Sequence, residues 1–137
     1  MDRPVGQKAL RLTAYLYVAG FAVHGLDHLV RGLDKTPLLV TVVGMAGFFG
    51  GLAAVAFVVA RHSHRLTAPL AIVVGFVTAV GVAAVHLPGH WGAFSQPFRS
   101  DATALDWASV ATSVVTALAF GCAGLIALRW YKDAPWR

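Results

Sequence analysis

The chain has 137 residues, 58% hydrophobic and 12% charged, with a mean hydropathy of +0.69 and a formal charge of +5. An ordinary soluble domain carries about twice that charged fraction, so a soluble globule is excluded, and the single cysteine, Cys122, excludes a disulfide scaffold. The excess of positive charge does not indicate nucleic acid as a partner, because Lys and Arg sit singly between long apolar runs instead of in patches interleaved with aromatics.

Four runs are long enough to cross a bilayer, for which about 20 apolar residues suffice. They cover about 12–30, 38–60, 66–87 and 105–128. Backbone groups in lipid must be satisfied within the segment, so the spans are predicted to be helices. The expected fold is all-α: an up-down four-helix transmembrane bundle forming a single integral-membrane domain over 1–137.

The first span is preceded by Arg3, Lys8 and Arg11 and stays uncharged until Asp27. Gly20-Phe21-Ala22 resembles a signal-peptide cleavage site. Apolar sequence continues past it to Val30, which favours a retained span. Thr13, Tyr17, Gly20, His24, Asp27, His28 and Arg31 fall in one arc of the helical wheel. Such a polar stripe at membrane depth is expected to face the bundle interior or a water-filled cavity.

The second and third spans open with a threonine close to a proline, Thr36-Pro37 and Thr67-Ala68-Pro69, which predicts hydroxyl caps at both helix starts. The second contains Gly44, Gly47, Gly50 and Gly51, and its Gly47-xxx-Gly51 pattern suits close packing, inside the bundle or against another subunit or copy. The turn between these spans, Arg61-His62-Ser63-His64-Arg65, reads as a topological anchor, since flanking arginines oppose cation binding there.

The third span ends in His86-Leu87-Pro88-Gly89-His90. The outer loop that follows, about 88–102, is longer than most bundle connections. Its Trp91, Phe94 and Phe98 predict either a short interfacial element or a lid that carries His90 inward. Thr103 and Asp106 then have capping-box spacing before the fourth span. Asp106, Ser109 and Ser113 share a face that can meet the histidines across the bundle.

The positive-inside rule orients the chain. With a cytoplasmic N-terminus, Arg3, Lys8, Arg11, Arg61, Arg65, Arg129, Lys132 and Arg137 lie inside, and Arg31, Lys35 and Arg99 lie outside. Both termini are then cytoplasmic. Trp91 and Trp107 mark the outer interface and Trp130 and Trp136 the inner one. Six Asp against no Glu or Asn, and eight Arg against three Lys, fit a GC-rich bacterial genome, hence a bacterial plasma (inner) membrane.

On this topology His24, Asp27, His28, His86 and His90 gather at the outer end. Neutral imidazoles suit Zn, Cu or Fe, and an i,i+4 histidine pair lets one helix grip an ion. The expected function is therefore transition-metal binding by these five residues. His24-Gly-Leu-Asp27-His28 also resembles the inverted zinc-protease motif His-x-x-Glu-His over five residues, with Asp27 in place of Glu. That resemblance implies a metal-dependent membrane hydrolase as one alternative. A second is b-type haem held by His24 and His86, although His86 reads as nearer the surface than His24. A third is an accessory or assembly subunit of a larger membrane complex, its polar stripe purely structural and its Gly47/Gly51 face against a partner.

Overall fold

A computed structural model describes residues 3–98 and 102–132, with side chains over 6–98 and 102–129. Arg99, Trp136 and Arg137, used above for orientation, lie outside the described residues, as do the side chains of Arg3, Trp130 and Lys132. The described chain is helical: α1 (Arg3–Arg31), a 3₁₀ turn (Leu33–Lys35), α2 (Leu38–Ala60), α3 (Thr67–His86) and α4 (Ala104–Lys132). All four α-helices are long and apolar enough to span a membrane. At 1.5 Å per residue the 23 residues of α2 reach about 34 Å, against a hydrocarbon core of about 30 Å.

Helix α1 begins at Arg3 instead of near Leu12. Pro4 is tolerated in a first turn, and no other breaker interrupts the chain before Gly32. Gly32 ends α1 with φ +94°, a region that side-chain-bearing residues rarely adopt, and the 3₁₀ turn follows. The expected threonine caps do not form. Pro37 is the N-cap of α2 and Leu66 that of α3, neither with a side-chain cap bond. Thr67 lies inside α3, where its hydroxyl donates to the Arg61 carbonyl at 2.8 Å. Thr36 Oγ1 instead lies 3.3 Å from His28 Nδ1 and accepts from the Gln96 side-chain amide at 3.3 Å. At α4 the capping box does close: Thr103 N–H donates to Asp106 Oδ2 at 2.6 Å, and Asp106 N–H to Thr103 Oγ1 at 3.3 Å.

The helices run up and down. Gln7 near the start of α1 donates to Ser63 in the α2–α3 turn at 3.4 Å. At the opposite end, the last turns of α1 and α3 meet the first turns of α4 through the contacts described below. Helix α4 packs closely against both α1 and α3, whereas α2 lies more loosely against its neighbours and is the least buried span.

The core joins Leu10, Ala14 and Tyr17 of α1 to Val58, Ala68, Ala71, Ala117 and Phe120. Tyr17 shares a 3.0 Å hydrogen bond with Thr78, so its hydroxyl is satisfied at depth. Gly51 packs directly on the Tyr17 ring, and Gly75 abuts the α4 backbone at Ala117 and Gly121. Gly47, by contrast, faces open space together with Gly44 and Gly50. The Gly47-xxx-Gly51 pair is therefore divided, with only Gly51 used inside the chain. Leu12, Leu16, Val23, Val42, Phe49, Val73, Val77 and Val115 are among the large apolar side chains exposed on the outside of the bundle. In water such a surface would aggregate; a bilayer accounts for it.

Candidate metal centre

The last two turns of α1 carry His24, Asp27, His28 and Arg31, and the last turn of α3 carries His86. An i,i+4 spacing stacks His24 and His28 on one face. In the up-down bundle α1 and α3 run parallel, so the final residue of α3 meets them at the same end. Ring centroids lie 4.8 Å apart for His24–His28, 5.0 Å for His24–His86 and 5.4 Å for His28–His86. One ligand nitrogen from each ring lies within 4.8 Å of the other two. A tetrahedral centre with metal–nitrogen bonds of about 2.0–2.1 Å sets its nitrogens about 3.4 Å apart, so small side-chain movements gather the three.

Burial is deep. His24 is 6% exposed and His86 3%, so His86 is as buried as His24 despite its place at a helix end. Residues after α3 explain this. Gln96 N–H donates to the Val85 carbonyl at 2.8 Å, and Trp91 Nε1 donates to the Ala84 carbonyl at 2.8 Å. Both bonds fold the loop back onto the end of α3. Phe98 stacks on the His86 ring at 5.6 Å and meets Trp107 at a tilt, 4.2 Å between centroids.

Two of the rings have defined partners. His86 Nδ1 is 3.0 Å from the Gln96 carbonyl oxygen. A carbonyl only accepts, so Nδ1 carries the proton and Nε2 presents its lone pair. His28 Nδ1 is 3.3 Å from Thr36 Oγ1. His24 Nδ1 is buried with no hydrogen-bond partner among the described residues, a loss of about 1–3 kcal/mol unless a ligand meets it.

Asp27 does not join the histidines. Its Oδ2 accepts from the Arg31 guanidinium and, at 3.0 Å, from Ser109 Oγ of α4. Arg31 Nε lies 3.3 Å from Asp106 Oδ1, so the guanidinium links both carboxylates and ties α1 to α4. His90 is exposed on the loop, 3.0 Å from Ser95 Oγ. It stays outside the cluster, because Ser95 also accepts from Trp91 N–H and Gly92 N–H and closes a tight turn around itself. No regular interfacial element forms over the described part of the loop, and Phe98, not His90, is the residue carried inward. His64 sits at the other end of the bundle, accepting from Leu66 N–H at 3.2 Å.

The sequence reading missed Thr36, Gln96 and Phe98. Thr36 reads as a cap, Gln96 as loop, and Phe98 as part of an interfacial element or lid. Ser109 reads as facing the histidines, and it meets Asp27 instead.

No protein family, curated protein or solved structure matches this chain. Its chemistry is therefore read from the side chains alone.

Arg31→Ala leaves Asp27 and Asp106, 8% and 7% exposed, without their shared counter-charge. The expected destabilisation is about 2–3 kcal/mol, below that for a fully buried pair because the Arg31 side chain is 36% exposed. Adding Asp27→Asn should recover a large part of it. Equilibrium unfolding of the single and double variants in detergent measures the coupling; additive losses would show that the network is not energetically linked.

Proposed function

We propose that this protein is a small multi-pass membrane protein that binds one transition-metal ion at His24, His28 and His86. The observation that carries the proposal is the convergence of three imidazole nitrogens within 4.8 Å from two different helices. The unpartnered Nδ1 of buried His24 adds to it, since a buried ring nitrogen without a donor or a metal is unfavourable. Three neutral nitrogen donors suit Zn, Cu or Fe and leave a fourth coordination position for an outside ligand. With Asp27 held by Arg31 and Ser109, and His90 by Ser95, neither is needed for the ion.

Metal content of the detergent-purified protein tests this reading. About one equivalent in the wild type, lost in a His24→Ala/His28→Ala double variant, is the expected result. No metal in either protein after reconstitution with Zn, Cu and Fe salts overturns it.

Two of the alternatives lose ground. Bis-histidine haem requires a porphyrin between its axial ligands, yet His24 and His86 meet edge to face at 5.0 Å. A hydrolase requires a free base, and the Asp27 carboxylate is already bonded on two sides. The accessory-subunit reading has one observation behind it: Gly44, Gly47 and Gly50 line an open face of the loosely packed α2, suited to close approach by a partner helix or a second copy.

For orientation we favour a cytoplasmic N-terminus in a bacterial plasma membrane. Arg61 and Arg65 lie at the end of the bundle that holds the α1 start, whereas the metal centre lies at the other end with Arg31 and Lys35. The positive-inside rule then turns the centre outward.

A further inference from the structure

Gln96 bonds directly to His86 and, by way of Thr36, is connected to His28. Its carbonyl oxygen accepts from His86 Nδ1 at 3.0 Å, and its side-chain amide donates to Thr36 Oγ1 at 3.3 Å. Thr36 in turn is the partner of His28 at 3.3 Å. One residue of the loop thus connects the end of α3 to the 3₁₀ turn after α1, across the end of the bundle where the three rings meet. Phe98 lies against His86 alongside it. These two connections cross the end of the bundle at which the half-buried His28 lies. His24 and His86 are buried, and His28 is half-buried beside them.

The geometry points to Gln96 as the latch of a door over the metal centre, with the loop through Phe98 as the door and Thr36 as the catch. This rests on the metal reading above and specifies how the same site is regulated. The latch divides into two parts. The main-chain carbonyl orients His86 and sets its tautomer, and so bears on affinity. The side-chain amide touches no ring. It joins two segments that must separate for an ion to pass, and so bears on the rate of exchange.

The experiment uses the full-length protein in detergent with Co(II) as the probe, whose visible absorption reports its coordination. Uptake is followed by stopped flow and release by transfer to a chelator. Gln96→Ala keeps both main-chain bonds and removes only the bond to Thr36. It is expected to speed uptake and release together by about tenfold, with an unchanged dissociation constant and an unchanged Co(II) spectrum. Thr36→Val should speed uptake to the same extent and release by more, hence bind more weakly, because it also frees His28; Thr36→Ser, which keeps the hydroxyl, should restore wild-type behaviour. Exchange rates in Gln96→Ala equal to the wild type overturn the latch and leave the metal reading intact. A changed Co(II) spectrum in Gln96→Ala also overturns it, since the side chain would then act on the coordination sphere. Failure of the wild type to bind Co(II) or any other transition-metal ion overturns both.

Discussion

Replacing His86 with alanine is expected to remove the stabilisation that a bound ion confers on the fold. His24 and His28 belong to one helix, so they can hold an ion without organising anything beyond α1. On the proposed reading His86 supplies the ligand from α3, and through it a bound ion would link two helices that pack more closely on α4 than on each other. Binding to the folded state alone raises stability by about 2.7 kcal/mol when the free ion is at about 100 times its dissociation constant. The wild type should therefore show a saturable rise in unfolding midpoint with added metal. His86→Ala should show none over the same range and should bind more than about 100-fold more weakly, since loss of an outer partner alone weakens metal sites by about 10–100-fold. Thermal unfolding across a metal titration makes the measurement. A midpoint rise in His86→Ala equal to that of the wild type would place the ion on α1 alone.

The second large effect concerns the fold that positions the cluster. Gly75→Val should destabilise the bundle by about 3 kcal/mol or more. A Cβ at Gly75 would lie 2.6 Å from the Ala117 carbonyl oxygen and 2.7 Å from the Gly121 Cα. These are backbone atoms, so they cannot rotate away, and α3 would have to part from α4. Gly47→Val is the matched control: same residue type, also mid-helix, with nothing within 4 Å of the added carbon. Its effect on the isolated chain should be within about 0.5 kcal/mol of zero. Unfolding of both variants in mixed detergent gives the comparison, and equal losses would refute the close α3–α4 contact. Gly47→Val also has a second use, because a change of assembly state without a change of stability would identify the open α2 face as a partner surface.

The four helices and their membrane character were legible in the residues. Hydropathy over about 20 residues and the polar arc from Thr13 to Arg31 are local properties, and local properties are what a linear chain displays directly. The Thr103–Asp106 box was legible for the same reason, since both partners lie within one turn. The inward face of α1 followed from the cost of placing ionisable groups in lipid. His24 and His28 could be paired from their spacing alone.

Which residues meet across the bundle was decided only by the tertiary structure. His86 reads as nearer the surface than His24, at the end of the third span, yet the loop folds back and buries it beside His24. Asp27 reads as a metal ligand, but Arg31 sits one turn away and Ser109 arrives from α4 to share its oxygen. His90 lies four residues past His86 and is drawn off by a turn built on Ser95. Thr36 leaves its expected cap because a ring nitrogen and an amide compete for its hydroxyl. Each of these outcomes depends on partners distant in the chain or on the course of an irregular loop, and neither is encoded in periodicity. A helix declares its faces through its own sequence; the neighbour that satisfies a buried polar group on that face is chosen only when the helices pack.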